Sequence, residues 1–219
     1  MKGANGIHLV AAEVSDSENN IIALINAIRS FLKEFDDTYL KAFLADWPTA
    51  NFRTRSIVPH TLPVLSWMPE AVNAAGKKGE FIVKKLASLA NQITWGQTYS
   101  ADDFGPGFLD KYGWTELIGQ RGPISSDRIA CGFLILGPQI EYPRHCHGAE
   151  EVYVPLTRQT LWQQGQQMWS WREPHLPIYH APGVMHAMRT ETVPLLALYL
   201  WRGANLTEKS KIRNPNSKI

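Results

Sequence analysis

The sequence predicts a mainly β protein, an antiparallel barrel or jelly roll, with an α-helical extension in front of it. Two observations predict this class. After Asp127, short segments of strand-forming residues follow one another with glycine or proline between them. Before that point, apolar residues recur at helical spacing instead. We therefore divide the chain into a helical extension over residues 1–124, a β-barrel over 125–205 and a polar tail over 206–219.

The helical extension contains two periodic stretches. Over residues 15–44, apolar side chains recur every three or four positions, and Pro48 prevents the helix from continuing. A second helix is predicted over residues 79–92. The stretch 105–123 is rich in glycine and proline, so we expect irregular coil there. We expect the helices to pack on the barrel, and their apolar faces suggest a homodimer.

The barrel is predicted from seven short strands. They cover residues 129–140, 151–156, 159–163, 167–171, 178–180, 186–190 and 195–201. Many short strands at close spacing, separated by turn residues, are typical of closed antiparallel architectures. The polar tail from Asn205 onward is expected to fray.

Composition excludes several classes of partner and location. The 219 residues carry a formal net charge of +2 with no basic run, which gives no reason to expect nucleic acid or an acidic membrane surface. The two cysteines cannot form a disulfide framework. No stretch of about 18 apolar residues is present, and residues 7–12 are too short for the core of a signal peptide. We expect a cytoplasmic protein.

One segment of the barrel half carries the candidate chemistry: Tyr-Pro-Arg-His-Cys-His-Gly-Ala-Glu-Glu-Val-Tyr. Residues two apart in a strand point to the same side, so His145 and His147 can both point into the barrel. After a turn, Glu151 begins the next strand and can return a carboxylate to the same point, and Tyr153 shares its face. His186 follows a Pro-Gly turn about forty residues later, where a neighbouring strand can bring it to the same cluster.

These side chains form a plausible ligand set for one divalent transition metal. Three neutral imidazole nitrogens and one carboxylate oxygen suit Zn, Fe, Mn, Co or Ni, and they leave coordination positions for a substrate. An H-x-H pair alone occurs by chance, and the spaced glutamate and second histidine make the pattern specific. Glu150 is the competing carboxylate, but it should point outward if Glu151 points inward. We expect His180 to pack or to form a hydrogen bond near the barrel mouth rather than to bind the metal.

The two motifs, H-x-H-x-x-x-E and P-G-x-x-H, resemble the two signatures of the cupins. The fuller string from His145 to Tyr153 resembles the cupin-type dimethylsulfoniopropionate lyases, and the resemblance extends to Tyr142 before it and Trp201 after it. It covers residues 125–205.

The chain departs from the cupin pattern at two turns. Arg158 stands where a glycine usually closes the first motif, and the glycine that precedes the first histidine is displaced to Gly137. Both departures affect loop shape rather than ligands.

The resemblance implies a cupin barrel and a β-elimination that converts dimethylsulfoniopropionate to dimethyl sulfide and acrylate. A metal that binds the substrate carboxylate would neutralise its charge and make the alpha proton easier to remove. Tyr153 is the best candidate for the base by position, and Tyr142 is the alternative base or a positioning hydroxyl. Since a tyrosine has an unperturbed pKa of about 10, the base requires a nearby dication to ionise near neutral pH.

The substrate of such an enzyme is a small sulfonium carboxylate. Aromatic faces suit a soft cation and contribute about 0.5–2 kcal/mol each. The resemblance therefore implies a cation box built from Trp201 and Tyr142, with Tyr179, Trp162 or Trp169 as further members. For Trp162 and Trp169 taken singly, packing inside the barrel explains the residue equally well.

Two other functions fit the same ligand set. One is an iron-dependent cupin dioxygenase, and the other is a non-catalytic cupin that binds a small carboxylate or a sugar. Tyr153 beside the ligands favours acid–base chemistry over both, because neither dioxygenation nor simple binding requires a phenol there.

Overall fold

The computed structural model describes residues 5–49 and 55–212, with side chains from residue 16 onward. The predicted fold class is confirmed: the chain forms a mainly β barrel of two sheets, antiparallel apart from one short parallel pair and preceded by helices. The helices are α1 (Asn5–Leu32), α2 (Thr38–Ala45), a 3-10 helix (Pro63–Trp67), α3 (Met68–Ala74), α4 (Glu80–Leu89), α5 (Ala101–Phe104) and α6 (Pro106–Leu109).

The stretch predicted as helical over residues 15–44 forms two helices rather than one. The side chain of Asp37 accepts a hydrogen bond of 2.8 Å from the backbone N–H of Leu40, so it caps the start of α2 and separates it from α1. Buried residues of α1 recur at the predicted spacing and include Leu24 and Ile28. The helix predicted over residues 79–92 is confirmed as α4.

The strands follow in chain order. They are β1 (Trp95–Gly96), β2 (Tyr112–Gly119), β3 (Ile124–Ser125), β4 (Ile129–Leu136), β5 (Glu141–Cys146), β6 (Glu150–Pro155), β7 (Thr160–Gln164), β8 (Ser170–Arg172), β9 (Ile178–His180), β10 (His186–Thr190), β11 (Leu195–Arg202) and β12 (Lys211–Ile212). One sheet has the order β1-β2-β4-β11-β6-β9, with β3 beside β2, and the other has the order β12-β5-β10-β7-β8.

The coil expected over residues 105–123 is wrong, because β2 crosses it and pairs with β4 along its length. All but one of the eight residues of β2 are buried. A strand covered on both faces shows no alternation of polar and apolar residues. Glycines at positions 113 and 119 make the strand harder to recognise from its sequence. The sheet therefore begins before residue 125, and the division of the chain at 124/125 stays a prediction.

The expected fraying of the tail is wrong for residues 205–212. Leu206 and Ser210 are buried, and β12 pairs with β5 so that Lys211 lies opposite Cys146. Residues 213–219 of the predicted tail lie outside the described residues.

Two apolar cores meet at the larger sheet. Its outer face packs against the helices through residues such as Phe133 and Leu198, which join Leu24 and Leu86 in one cluster. Its inner face forms a second cluster with the smaller sheet, and this cluster holds most of the barrel's aromatic residues. The helices therefore cover the back of the sheet whose front carries the candidate site.

None of the helices within residues 5–49 and 55–212 combines the length and apolar character that crossing a bilayer requires.

Candidate active site

The four predicted metal ligands are all buried; they lie at the end of β5, in the loop after it, near the start of β6 and at the start of β10. Ligand atoms of His147, Glu151 and His186 lie within 4.8 Å of one another. His145 is not part of this group; its ring centroid lies 4.2 Å from that of His186. The structure thus brings three of the four together and places His145 beside them, and its role as a fourth ligand stays a prediction.

Each of the three histidines is held by a backbone carbonyl. Nδ1 of His145 lies 2.8 Å from the carbonyl of Pro143, Nδ1 of His147 lies 2.9 Å from that of Ala149, and Nδ1 of His186 lies 3.0 Å from that of Val184. Because a carbonyl only accepts, Nδ1 carries the proton in each ring and donates it. A neutral ring then has a lone pair on Nε2, the form that binds a metal.

Glu151 lies at the centre of the cluster. Its Oε1 accepts a hydrogen bond of 2.6 Å from the indole Nε1 of Trp201, and its Oε2 lies 3.0 Å from Nε2 of His147 and 3.2 Å from Nε2 of His186. Burial alone would raise the pKa of Glu151, but the charge and hydrogen bond of His147 and the charge of the nearby His186 hold it well below its usual value.

The pKa of His147 is shifted upward, in the opposite direction to that of Glu151. Burial alone would lower its pKa, and the charge and hydrogen bond of Glu151, the Ala149 carbonyl and the charge of Glu208 together raise it. In the metal-free protein, His147 and Glu151 therefore favour an ion pair.

The cluster fits a divalent metal. With Nδ1 of His147 and His186 already bound to carbonyls, their Nε2 lone pairs and the Glu151 carboxylate all present acceptors to one point. Nε2 of His186 is buried without a hydrogen-bond partner among the described residues. A metal cation satisfies several acceptors that converge in this way, and two nitrogens with one oxygen suit the transition metals.

Each of the two candidate tyrosines lies close to a histidine of the cluster. Tyr153 is buried with its ring 5.1 Å from that of Trp162, and Tyr142 stacks on His145 at 4.0 Å between ring centroids. The hydroxyls of Tyr142 and Tyr99 share a hydrogen bond of 3.1 Å. In the metal-free protein, burial is the main cause that raises the pKa of both candidates well above 10; neighbouring tyrosines add to it for Tyr142, and Glu151 adds to it for Tyr153.

A cavity of about 260 Å³ opens onto this cluster. Its wall contains Glu151, His145, both candidate tyrosines and Trp201. The ring of Trp201 lies 4.1 Å from that of His147. The cavity therefore brings a candidate ligand set, two phenols and an indole face together.

Two members of the predicted cation box lie elsewhere, and their assignment is corrected. Tyr179 lies opposite Val152 in the β6–β9 pair, on the face that points away from the cavity; it stacks on Tyr39 at 3.7 Å and its hydroxyl donates to Glu150. Trp169 does not line the cavity. The guanidinium carbon of Arg189 lies over its indole ring, 4.6 Å from the ring centroid. Strand alternation explains why Tyr179 points away from the cavity. The contact with Arg189 holds Trp169 outside it.

Trp162 is buried behind Tyr153 rather than in the cavity wall, so packing describes it better than substrate contact. Glu150 points outward as predicted, where it accepts a hydrogen bond of 2.6 Å from Nε of Arg202. The carboxylate of Glu151 is thus the one delivered to the cluster.

His180 packs beside the cluster, as expected for a residue that does not bind the metal. It lies opposite Glu151 in the β6–β9 pair, and its ring stacks on His186 at 4.1 Å. Neither of its ring nitrogens has a hydrogen-bond partner among the described residues. Burial lowers the pKa of His180 to about 3, so the ring is neutral at ordinary pH.

The sequence interpretation missed three residues of the site. Tyr199 lines the cavity opposite Tyr153, and its position two residues before Trp201 on one strand could have revealed it. Tyr99 bonds to Tyr142 from the segment before α5, and Glu208 lines the cavity from the tail. For these two, no local pattern in the sequence indicates the contact.

Comparison with known proteins identifies the family. The chain matches, over residues 42–197, the model of a protein family described as dimethylsulfoniopropionate lyase. It is 34% identical over 109 residues to the dimethylsulfoniopropionate lyase DddQ of Ruegeria pomeroyi, covering 50% of this chain and 54% of that protein. It is 27% identical over 174 residues to a protein of Cereibacter sphaeroides provisionally named dimethylsulfoniopropionate lyase DddL, covering 78% of this chain and 70% of that protein.

The fold also matches a solved structure. A chain from the crystal structures of the DMSP lyases RdDddP and RnDddQII superimposes with a TM-score of 0.82 at 27% identity. The match covers 90% of this chain and 100% of the other. The helices before the barrel are therefore shared with that protein as well as the barrel itself.

Proposed function

The chain belongs to the dimethylsulfoniopropionate lyase family, and we propose that it cleaves dimethylsulfoniopropionate into dimethyl sulfide and acrylate by a metal-dependent β-elimination. Family membership confirms the resemblance predicted from the sequence and makes the chain a lyase. The observation that carries the proposal is the cavity, whose wall combines Glu151 of the candidate metal cluster with Tyr153, Tyr142 and Trp201.

The ligand cluster supplies the binding end of the site. We assign the metal to His147, Glu151 and His186, with His145 as the fourth ligand. A divalent ion held there would neutralise the substrate carboxylate and so acidify the neighbouring C–H bond. Trp201 keeps the Glu151 carboxylate in place through its 2.6 Å hydrogen bond, which fixes the direction of the ligand.

Tyr153 is the proposed base. It follows Glu151 by two residues in β6, so its side chain lies on the same face of the sheet. The phenolate oxygen takes the alpha proton, the C–H electron pair forms the double bond of acrylate, and the bond from the beta carbon to sulfur breaks. The sulfur keeps that pair and leaves as neutral dimethyl sulfide. Tyr142 positions the substrate from the other side of His145 or replaces Tyr153 as the base.

The sulfonium end meets an aromatic wall. Trp201, Tyr142 and Tyr199 line the same cavity, and their ring faces attract a cation that has no N–H or O–H to donate. The corrected cation box thus contains Trp201 and Tyr142 from the prediction and gains Tyr199.

One assay tests this function. Purified, metal-loaded protein is given dimethylsulfoniopropionate under anaerobic conditions, and the headspace is analysed for dimethyl sulfide and the solution for acrylate. We expect both products in equal amounts. Substrate-dependent oxygen uptake without dimethyl sulfide would support a dioxygenase instead, and binding without any product would support a non-catalytic cupin.

A further inference from the structure

Residues 205–212, which we call the strap, form part of the cavity wall. Four consecutive strap residues, Thr207, Glu208, Lys209 and Ser210, line the cavity. The strap is held at both ends, because Leu206 is buried and β12 pairs with β5. In that pair Ile212 lies opposite His145. The strap is therefore attached to the strand that carries a candidate metal ligand.

Glu208 is held against the loop between the ligands. Its Oε2 accepts a hydrogen bond of 3.2 Å from the backbone N–H of Gly148, the residue after His147. A Cβ atom on Gly148 would lie 2.9 Å from that oxygen, so the loop admits this approach because the residue is glycine. The carboxylate consequently has a fixed position at the cavity wall, beside the ligand histidine on which Trp201 packs.

Glu208 differs from the other charged residues of the cavity wall in its partners. Arg121 forms an ion pair with Glu116 at 3.0 Å, and Lys209 forms one with Asp103 at 3.2 Å. Glu151 faces the histidines of the cluster. Over residues 16–49 and 55–212, Glu208 has no cationic side chain within ion-pair distance, and its known hydrogen bond comes from a neutral amide. Glu208 is thus the charged residue of the wall that forms no ion pair within the described part of the chain, and its charge acts on the cluster, where it helps to raise the pKa of His147.

We propose that Glu208 is a specificity-determining residue that attracts the cationic end of an onium carboxylate. It thereby selects this substrate over a carboxylate of the same shape that lacks the cation. This inference rests on the proposed function, since it names the group that recognises the leaving end of the substrate. Aromatic faces attract a cation but also accept an apolar group, so they select weakly between the two. A fixed carboxylate distinguishes them by charge alone.

The test uses two compounds that share a shape and differ in one charge. They are 3-(trimethylammonio)propionate and its carbon isostere 4,4-dimethylpentanoate, and their binding to metal-loaded protein is measured by calorimetry. Glu208→Gln retains an oxygen for the Gly148 N–H and removes the charge. We expect this variant to bind the ammonium compound about fivefold more weakly. This is the loss expected when one of two unit charges ~8 Å apart is removed at an effective dielectric of about 40. The isostere should bind unchanged or slightly more tightly.

Glu191→Gln is the matched control, because it removes an exposed acidic charge that does not line the cavity. It should alter neither affinity. Equal weakening of both compounds by Glu208→Gln would overturn the proposal in favour of a structural role, and no change in either would overturn it as well. The measurement does not need turnover, so a parent protein that makes no dimethyl sulfide refutes the proposed function separately.

Discussion

The indole Nε1 of Trp201 donates a hydrogen bond of 2.6 Å to Oε1 of Glu151, and the two residues lie directly opposite each other in the β6–β11 pair. The register of two strands thereby fixes both the carboxylate of the candidate metal site and the ring that faces the cavity. Trp201 has two separable parts, a ring face and an N–H donor, and substitutions can remove them one at a time.

Trp201→Phe should keep the ring face and lose the donor, and Trp201→Ala should lose both. Removal of the donor leaves a buried carboxylate oxygen unpaired, so we expect metal affinity to fall about tenfold or more in both variants. At saturating metal, kcat/KM should fall much further in the alanine variant, because that variant alone lacks the cation-binding face. Equal kcat/KM values for the two variants would indicate that the ring only packs.

Alanine at His147, Glu151 or His186 should remove most of the bound metal and leave the fold largely intact. Each substitution removes one of the three groups whose ligand atoms converge. His145→Ala should retain more metal, since His145 lies outside that group. Elemental analysis after dialysis measures occupancy, and circular dichroism reports the fold. Full occupancy in all three variants would exclude this cluster as the metal site.

Tyr153→Phe should lower kcat by ~10²–10⁴, the usual contribution of general acid–base catalysis, with metal content unchanged. A tyrosine base acts only when ionised, so activity of the parent should rise into mildly alkaline pH. Steady-state kinetics over pH 6–10 on metal-loaded protein measures both effects. If Tyr153→Phe turns over normally, Tyr142→Phe should be the damaging change, and full activity in both variants would refute the tyrosine mechanism.

The metal-free protein should lose stability as the pH falls below about 6.5, in part through His180. Its folded-state pKa of about 3 lies below the unfolded value of about 6.5, so the unfolded chain binds the proton more readily. This contribution is present above pH 6.5 and is lost as the pH falls towards 3.

Urea unfolding of the metal-free protein at pH 7.5 and pH 5.5 measures this loss. His180→Phe keeps a ring against His186 and cannot titrate, so its free energy of unfolding should fall by about 1 kcal/mol less than that of the parent between the two pH values. His145, whose pKa is also lowered by burial, contributes equally to both proteins. Identical losses in parent and variant would show that His180 does not titrate on unfolding.

The sequence pattern brings His147 and Glu151 together because they lie four residues apart around one short turn, where local spacing decides which way a side chain points. The pairing of Tyr142 with His145 follows a different rule. Residues three apart should lie on opposite faces, but the register of β5 against β10 shifts between these two positions. This bulge brings both side chains to one face, where their rings stack. Bulges depend on tertiary pairing, so spacing alone does not reveal them.

The strap was not predictable for a related reason. It has few apolar residues, and a polar segment with two buried side chains, Leu206 and Ser210, has no periodicity that a sequence pattern can detect. Its position follows from pairing with β5, a contact between residues far apart in the chain. Glu208 enters the site through that contact alone.

The central position of β11 also governs how fast this protein can fold. β2 pairs with one edge of β4, and the other edge pairs with β11, where Leu195 lies opposite Leu136 and Arg202 opposite Ile129. The second edge therefore stays unpaired until a strand about 60 to 70 residues later in the chain is in place. Closing so long a loop costs conformational entropy before the contacts that stabilise it can form. Barrels dominated by such pairings fold in milliseconds to seconds. His147 and Glu151 lie only four residues apart in the chain, whereas His186 and Trp201 belong to later strands. Metal present during refolding therefore has only part of its site to bind until the barrel closes.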